Sequence, residues 1–362
     1  MRILAPSFHS VRDRGPGGAE LGLGARVIKY LGSKRLLLPA ILEVIAGFAS
    51  VRSVLDLFSG TSRVGHALKR AGYRVTANDH NAYAATLARC YVQADRDDVL
   101  RDAERLLQEL SRLPGRPGYF TETFCLKSRF VHPKNGARVD AIREAIARKG
   151  LPPELEAVLL VSLMEAADRV DSTTGVQMAY LKRWAARAHN ELELRLPEVL
   201  PRAAAGKGCA VEGDALAVAR AHEVDLAYLD PPYNQHKYLG NYHVWETLVR
   251  WDHPDTYGVA CKRVDTKERT SDFNSRPRFE SAFRELVRAV RAPRLVVSFN
   301  DEGFLAPERA VEILAERGPV RVLEYDYKRY VGAQIGIFNP EGTKVGRVSH
   351  LRNRELLYVV GT

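Results

Sequence analysis

Short apolar runs alternate with amphipathic stretches near both ends of the chain. The apolar runs have the length of buried strands, and the amphipathic stretches carry apolar positions at helical spacing. Strands are predicted at residues 54–58, 73–79, 224–229, 294–299, 320–327, 347–350 and 355–360, with a further short one just before Asp214. Helices are predicted at residues 36–45, 63–71, 83–93, 244–251, 279–290 and 307–317. This order predicts an α/β fold with one doubly wound, mostly parallel sheet and helices on both faces.

The pattern changes between residues 95 and 207, where helical periodicity dominates. Helices are predicted there at residues 99–110, 139–148, 154–170 and 177–196. We therefore expect a mainly helical insertion at residues 95–207, interrupting one α/β domain made of residues 25–94 and 208–362. Residues 1–24, with early charges and many glycines, are predicted to form a flexible arm.

Composition is that of an ordinary globular protein, with 46% hydrophobic and 27% charged residues. No apolar run has the length of a membrane span, and residues 1–24 lack the apolar core of a signal peptide, so a cytoplasmic protein without a membrane partner is expected. The four cysteines are scattered and form no Cys-x-x-Cys pair, so neither a metal site nor a disulfide framework is expected. The net charge of +10 suits a polyanionic partner, although alone it is a weak signal.

The strand predicted at residues 224–229 leads into the most specific motif, Asp230-Pro231-Pro232-Tyr233. Two prolines with fixed φ and no N–H must end the strand, so its tip presents a carboxylate, carbonyls and an aromatic ring. Asp230 and the Pro231 carbonyl can accept the two N–H donors of a nucleobase amino group, and Tyr233 can stack on a base taken out of the duplex. The alternative interpretation is a plain Pro-Pro turn with a solvated Asp230.

Two earlier strand ends suit a nucleotide-like cofactor. The first strand carries Asp56 and passes through Phe58-Ser59-Gly60 into a helix, where small residues let a ligand approach the backbone. The spacing is not that of a dinucleotide or Walker loop, so the turn suits a cofactor with an amino acid end rather than a phosphate. The second strand ends at Asp79, where nucleotide-binding α/β units place a carboxylate for ribose hydroxyls; a plain helix N-cap is the alternative.

Three basic segments are candidates for anion or nucleic-acid contact. Lys29, Tyr30 and Lys34 precede the first predicted helix, although an ordinary helix start explains them as well. Residues 119–138 are predicted to form a loop that mixes aromatic side chains with Lys127, Arg129, Lys134 and Arg138. The region after the Asp-Pro-Pro-Tyr motif carries Lys237, Lys262, Arg263, Lys267 and Arg269. Basic and aromatic side chains together can follow a phosphate backbone and stack on bases, whereas solvated surface loops are the alternative.

Taken together, the chain resembles the Dam-type α group of S-adenosylmethionine-dependent DNA adenine methyltransferases. Four blocks occur in that family's order: Lys-Tyr-x-Gly-Ser-Lys, a strand with Phe-x-Gly, Asn-Asp after the second strand, and a late Asp-Pro-Pro-Tyr. The resemblance extends from about residue 28 to residue 360. It departs from the family at Ser59 and Thr61, which make the turn poorer in glycine than in many methyltransferases.

The resemblance implies a Rossmann-like methyltransferase sheet and assigns roles by position. Residues of the predicted cofactor site are Lys29, Tyr30, Lys34, Asp56, Phe58, Ser59, Gly60, Asp79, Asp214 and Asp230. Within that set, Asp79 would hold ribose hydroxyls and Asp214 would approach the cofactor's adenine. The predicted catalytic residues are Asp230, Pro231, Pro232 and Tyr233, and the insertion would be the target-recognition region.

The function expected from this resemblance is site-specific transfer of a methyl group from S-adenosylmethionine to the amino group of a flipped adenine in double-stranded DNA. The expected setting is a bacterial or archaeal cytoplasm, with a cognate restriction endonuclease or as a solitary modifier, and without a metal. Two alternatives stay open: an RNA adenine methyltransferase, because Asp-Pro-Pro-Tyr serves any planar amino substrate, and a non-catalytic nucleic-acid binder on the same fold.

Overall fold

The computed structural model describes residues 8–10, 28–32, 34–235, 237–300, 303–328, 337–338, 344–346 and 352–361. Its strands are β1 (Phe8–Ser10), β2 (Ser53–Asp56), β3 (Arg74–Asp79), β4 (Cys209–Glu212), β5 (Leu226–Leu229), β6 (Thr256–Tyr257), β7 (Lys262–Arg263), β8 (Arg294–Asn300), β9 (Val320–Lys328), β10 (Ile337–Phe338), β11 (Lys344–Gly346) and β12 (Arg352–Val360). Its α-helices are α1 (Leu38–Ala46), α2 (Arg63–Arg70), α3 (Ala82–Ala88), α4 (Arg96–Ser111), α5 (Tyr119–Thr121), α6 (Pro133–Arg148), α7 (Pro153–Arg169), α8 (Ala215–Ala221), α9 (Tyr238–Asn241), α10 (His243–Arg250), α11 (Arg276–Ala289) and α12 (Pro307–Leu314).

The described strands assemble into a main sheet of eight, in the order β1-β9-β12-β8-β5-β2-β3-β4. Neighbours from β8 to β4 pair in parallel, whereas β12 runs antiparallel to both β8 and β9. Parallel neighbours need crossover connections, and helices supply them. The predicted doubly wound, mostly parallel α/β sheet is therefore confirmed.

Alternate residues of the central strands pack against opposite helical layers. Leu55 and Ala227 face a core with α8, α11 and α12. Val54 and Leu226, their neighbours along the same strands, face a second core with α1 and α2. This is the period-two alternation of a strand covered on both faces, and it explains why these strands are apolar throughout.

The predicted insertion packs around a separate hydrophobic core, to which α3 and α10 also contribute. All residues of α3 are buried, because the helix lies between the sheet and the insertion. The carboxylate of Glu246 in α10 lies at this junction, fully buried, and accepts from the Tyr83 backbone N–H at 3.1 Å and from the Arg250 and Arg269 guanidinium groups at 2.7 Å. One acid thus connects α3, α10 and the segment that follows β7.

Two predicted elements in the insertion are wrong. Residues 177–196 are not a helix: they run irregularly with one 3₁₀ turn, Ala186–His189. Their backbone groups bond to neighbouring elements instead, since the Asn135 side chain donates to the carbonyls of Ala188 and Asn190 at 3.2 and 2.9 Å. These tertiary hydrogen bonds outweigh the helical propensity of an alanine-rich stretch.

The loop predicted at residues 119–138 is largely helical, consisting of α5, a π-helical turn (Glu122–Lys127) and the first residues of α6. The buried carboxylate of Asp140 accepts from the backbone N–H groups of Gly118, Phe120 and Thr121 at 2.8–2.9 Å, so it holds the start of α5 from a distant helix. A local sequence pattern does not reveal such a cap.

Near the ends of the chain, the structure describes only some of the segments that are predicted from the sequence. Phe8–Ser10, within the predicted arm, pairs in parallel with Val322–Glu324 of β9. The rest of residues 1–24 and the strand predicted at residues 347–350 lie outside the described residues.

The strand predicted at residues 224–229 begins two residues later, at Leu226. Just before it, the Asp225 carboxylate accepts from the Ser53 N–H at 2.8 Å.

Replacement of Asp140 by alanine should leave the buried N–H groups of Phe120 and Thr121 without an acceptor, and we expect the free energy of unfolding to fall by about 3 kcal/mol. Urea unfolding followed by circular dichroism would measure this change. Glu104→Ala, which removes an exposed acid from α4, is the matched control and should change it by less than about 0.5 kcal/mol. Equal losses in the two variants would show that Asp140 does not cap α5.

Candidate active site at the carboxyl edge of the sheet

The carboxyl ends of β2, β3, β4 and β5 meet at one edge of the sheet and open into a cavity of about 410 Å³. Parallel α/β sheets bind ligands at this edge. The predicted cofactor residues that line the cavity are Tyr30, Lys34, Asp56, Phe58, Ser59, Gly60, Asp79, Asp214 and Asp230. Of the predicted catalytic residues, Asp230 and Pro232 line it, whereas Pro231 and Tyr233 do not.

Gly60 and Asp79 connect the ends of β2 and β3. Gly60 has φ = 51°, a left-handed conformation that favours glycine, and its N–H donates to Asp79 Oδ2 at 3.0 Å. Asp79 Oδ1 accepts from the backbone and side-chain nitrogens of Asn81 at 2.9 and 3.1 Å. Burial raises the pKa of Asp79, and these donors oppose the rise. A carboxylate with three donors retains one acceptor position for a ligand hydroxyl.

Two buried polar atoms on the cavity wall, Ser59 Oγ and Asn78 Oδ1, have no hydrogen-bond partner in the described part of the chain. Phe58 and Phe273 add apolar surface, with ring centroids 5.3 Å apart in an edge-to-face arrangement. Buried polar atoms are normally satisfied, so these two favour a ligand that brings its own polar groups. The combination fits a ligand with a flat ring system and several hydroxyl or amino groups.

Asp56 and Asp230 are acids with perturbed proton affinities. Burial raises the pKa of Asp56 to about 7, with a contribution from the nearby charge of Asp230, while the Gly65 N–H at 3.0 Å opposes it. Burial also raises the pKa of Asp230 to about 6, against the lowering effect of Lys34. Perturbed acids in one cavity are typical of functional sites.

Lys34 is the cationic group beside Asp230. Its Nζ lies 3.1 Å from Asp230 Oδ1 and 5.7 Å from the centre of the Tyr233 ring. Burial lowers the pKa of Lys34, but the neighbouring acids outweigh this effect and raise it well above its usual value. The ammonium therefore stays charged and fixes one oxygen of Asp230.

Tyr233 is partly buried and held at both ends. Its ring meets Phe299 edge to face at 6.1 Å, and its carbonyl accepts from the Phe304 N–H at 2.9 Å. These contacts keep the ring next to the strand tip where Asp230 lies.

Tyr30 stacks on the rings of two other tyrosines. Its ring stacks on Tyr238 at 5.3 Å and on Tyr242 at 4.6 Å, with interplanar angles of 11° and 14°. A Cβ added to Gly60 would lie 3.4 Å from the Tyr30 ring, so the glycine turn and this stack are in close contact. Tyr238 was not among the predicted residues, and no motif in the sequence marks it.

Lys29 is the predicted cofactor residue that the structure does not bring to the cavity. Its Nζ lies 3.2 Å from Asp168 Oδ2 and 3.0 Å from Asp171 Oδ1, in the insertion. The two lysines of this block therefore have different partners. Lys29 forms ion pairs with acids of the insertion, whereas Lys34 forms one with Asp230 at the end of β5.

The basic residues predicted at 127–138 lie on the surface of the insertion. Lys127 pairs with Glu122 and Lys134 with Glu191, and the Arg138 guanidinium donates to the Ser111 carbonyl. Arg129 stacks over the Trp184 ring at 4.9 Å, with Lys182 and Arg183 nearby in the chain and exposed. This surface combines positive charge with an aromatic ring, but Trp184 and its neighbours were predicted as helix.

Of the basic residues after the motif, Lys237 and Lys267 are exposed and Lys262 is partly buried. Arg263 is different: it is 3% exposed, and its guanidinium contacts Asp252 at 2.7 Å and Asp265 at 3.0 Å. The structure therefore gives Arg263 a structural role rather than a surface available to DNA.

Arg269 lines the cavity rather than the outer surface. Its guanidinium donates to Glu246 and to the His80 carbonyl, at 2.7 and 3.0 Å, next to the end of β3. Four residues on, Phe273 lines the same wall, and the Asn274 side chain donates to the Asn234 carbonyl at 2.9 Å. The segment from Arg269 to Asn274 thus connects the cofactor side of the cavity to the loop after Tyr233.

Fold and site together define the class: a Rossmann-like methyltransferase domain with an Asp-Pro-Pro-Tyr motif at the strand end. Residues 30–296 match the model of the D12 class N6 adenine-specific DNA methyltransferases, and the chain belongs to that family. The resemblance drawn from the sequence motifs is confirmed at this level.

Curated relatives carry names that agree with the family. The chain is 29% identical over 315 residues to the type II methyltransferase M.NlaIII of Neisseria lactamica, covering 84% of this chain and 92% of that protein. It is 29% identical over 327 residues to the modification methylase StsI of Streptococcus sanguinis and 28% identical over 324 residues to the type II methyltransferase M.FokI of Planomicrobium okeanokoites. The chain spans about half the length of these last two proteins.

Among the described residues, no helix combines the length and apolar character needed to cross a bilayer. The same residues contain no group of three or more potential metal ligands.

Replacement of Arg263 by methionine should remove the cation that joins Asp252 and Asp265, and leave Asp265 only the more distant Arg269 at 3.7 Å. Because these acids are partly exposed, we expect the free energy of unfolding to fall by about 2 kcal/mol rather than by the full loss of a buried pair. Urea unfolding would measure it, with Lys267→Met as control, expected to change it by less than about 1 kcal/mol. A stable Arg263→Met protein with weakened DNA binding would instead place Arg263 on the DNA-binding surface.

Proposed function

We propose that this chain is a site-specific DNA adenine methyltransferase that transfers a methyl group from S-adenosylmethionine to the exocyclic amino group of an adenine flipped out of the duplex. The observation that carries the proposal is the position of Asp230. Its carboxylate, fixed by Lys34 and flanked by Tyr233, opens into the same cavity as the Gly60–Asp79 turn. A cofactor pocket and an acceptor for an amino group therefore share one space.

S-adenosylmethionine, when bound, would supply an electrophilic methyl group. Asp79 would accept from its ribose hydroxyls, Ser59 and Asn78 would take polar groups that the protein leaves unpartnered, and Phe58 and Phe273 would contact its flat apolar surface. Asp214 lines the cavity and also caps α8, since one carboxylate oxygen accepts from the Ala217 N–H at 3.0 Å.

Asp230 and the Pro231 carbonyl would accept the two N–H donors of the adenine amino group. These bonds favour a more tetrahedral, more nucleophilic nitrogen and fix its direction of approach, which is catalysis by orientation. Burial strengthens them, because a hydrogen bond to a charged acceptor is stronger in a low-dielectric site. Tyr233 would stack on the base and offset part of the cost of unstacking it, a few kcal/mol.

Double-stranded DNA is the proposed partner. The net charge of +10 favours a polyanion, and the Arg129–Trp184 surface with Lys182 and Arg183 offers charge and stacking together. The relatives' names, type II methyltransferase and modification methylase, support a role in modification. We propose that the chain acts in a bacterial or archaeal cytoplasm, with a cognate restriction endonuclease or as a solitary modifier.

The direct test is transfer of a labelled methyl group from S-adenosylmethionine to unmethylated duplex DNA, with structured RNA assayed in parallel. Label on adenine in DNA is the expected result, and mapping the modified positions would give the recognition sequence. Label in RNA alone would make the protein an RNA methyltransferase. Cofactor binding without transfer to either polymer would favour a non-catalytic binder.

Asp230→Ala should reduce methyl transfer by more than about 100-fold, because the amino group loses its charged acceptor. Cofactor binding, measured by calorimetry, should remain detectable. Asp97→Ala, at an exposed position of α4, removes the same charge far from the motif and should leave both quantities unchanged. Wild-type turnover in Asp230→Ala would exclude this site.

Tyr233→Ala should lose more activity on a matched duplex than on a duplex with a mismatched target adenine. The mismatch lowers the cost of flipping, so less stacking is needed to offset it. Single-turnover rates on the two duplexes would be compared, with the partly buried Tyr73, at the other end of β3, replaced in a control variant. Equal losses on both duplexes would argue against stacking by Tyr233.

A further inference from the structure

The buried ammonium of Lys34 contacts two carboxylates. Asp230 Oδ1 lies 3.1 Å and Glu355 Oε2 lies 3.3 Å from Lys34 Nζ. The three side chains are 9%, 19% and 17% exposed in the order Lys34, Asp230, Glu355, so solvent screens them little. Neither the family model, which ends at residue 296, nor any sequence motif points to Glu355.

Glu355 reaches this position because of the antiparallel strand. It lies in β12, paired with Asn300 of β8 on one side and Tyr325 of β9 on the other. Since β8 in turn pairs with β5, which ends before Asp230, the last strand brings its acid to the tip that carries the motif. Lys34 and Glu355 are 321 residues apart in the chain.

An ammonium has three N–H donors. Two carboxylate oxygens lie within reach of them, Asp230 Oδ1 at 3.1 Å and Glu355 Oε2 at 3.3 Å, and the centre of the Tyr233 ring lies 5.7 Å from the nitrogen. Without Glu355, the whole charge of Lys34 would act on Asp230 alone. Its carboxylate would then be neutralised more strongly and would be a weaker acceptor for any other donor.

We propose that Glu355 is a positioning residue for Asp230. Glu355 shares the positive charge of the Lys34 ammonium, so that Lys34 fixes the Asp230 carboxylate and still leaves it able to accept a further hydrogen bond. This inference rests on the proposed function for its catalytic meaning. Glu355 does not touch the reacting atoms and acts through Lys34.

The charges around Asp230 determine the direction of the expected effects. The groups that face it are Lys34 from the segment before α1, Glu355 from β12, Asp56 from β2, Tyr228 from β5 and Tyr238 from α9. Burial raises the pKa of Asp230 to about 6, Lys34 opposes this rise, and the charge of Glu355 adds to it. Removal of the Glu355 charge should therefore lower this pKa, and removal of Lys34 should raise it.

Glu355→Gln keeps the shape of the side chain and removes its charge. If ionised Asp230 is required, wild-type turnover should fall as pH drops through about 6. In Glu355→Gln the acid limb of the pH–kcat profile should move to lower pH by about one unit, and the plateau near neutral pH should fall several-fold. Cofactor affinity should not change. Lys34→Met should move the acid limb in the opposite direction.

A second measurement does not depend on activity. Aspartate labelled with ¹³C at the side-chain carboxyl allows the Asp230 resonance to be assigned by its loss in Asp230→Asn and titrated by NMR. We expect its midpoint to fall in Glu355→Gln and to stay at the wild-type value in Glu324→Gln. Glu324 is the matched control because it is an acid of the adjacent strand β9 whose charge acts on Tyr358.

The outcomes separate the two proposals. A wild-type protein that methylates neither DNA nor RNA would overturn the proposed function, whereas the NMR titration would still decide whether Glu355 acts on Asp230. An active wild type with the same acid limb and the same Asp230 midpoint in Glu355→Gln would overturn the inference. A uniform loss of activity at every pH in Glu355→Gln, with the Asp230 titration midpoint unchanged, would show that Glu355 has only a structural role.

Discussion

The buried ammonium of Lys34 is the interaction on which the candidate site depends. Parallel strands bring several acids to one edge of the sheet, and burial makes their charged forms costly. Lys34 compensates for Asp230 and Glu355, while backbone N–H groups compensate for Asp56 and Asp79. Because Asp56 and Asp230 have different partners, burial raises the pKa of Asp56 to about 7 and that of Asp230 to about 6 within one cavity. The ammonium of Lys34 thus allows the Asp230 carboxylate to stay ionised although it is largely shielded from solvent.

A second buried charge connects the site to the rest of the molecule. Glu246 accepts from the start of α3 and from Arg250 and Arg269 at the junction of sheet and insertion. Through Arg269 it holds one wall of the cavity, and Asn274 ties that wall to the loop behind Tyr233. The surface proposed to meet DNA and the pocket proposed to hold the cofactor are therefore parts of one packed unit. The chain's membership in the D12 class gives this arrangement its chemical meaning.

Much of the fold and of the site could be predicted because the relevant signals are local. A strand that ends in Asp-Pro-Pro-Tyr, a strand that turns through Gly60, and an acid at the end of the next strand are each visible in a few residues. Parallel topology then forces their ends together, so Asp56, Asp79 and Asp230 reach one cavity as expected. The errors fall where distant partners decide. Residues 177–196 have helical composition but bond to the Asn135 side chain, and Arg263 resembles a DNA-binding arginine but lies between Asp252 and Asp265.

By itself the sequence determined the α/β class, the resemblance to adenine-specific DNA methyltransferases and the acids at the strand tips, because periodicity and short motifs act over a few residues. Only the tertiary structure decided which basic residues remain exposed, how the segment from Arg269 to Asn274 closes the cavity wall, and that Glu355 shares Lys34 with Asp230. Those outcomes depend on contacts between residues far apart in the chain. Charge in particular acts through space, so the proton affinity of Asp230 is set by residues that no local pattern around it reveals.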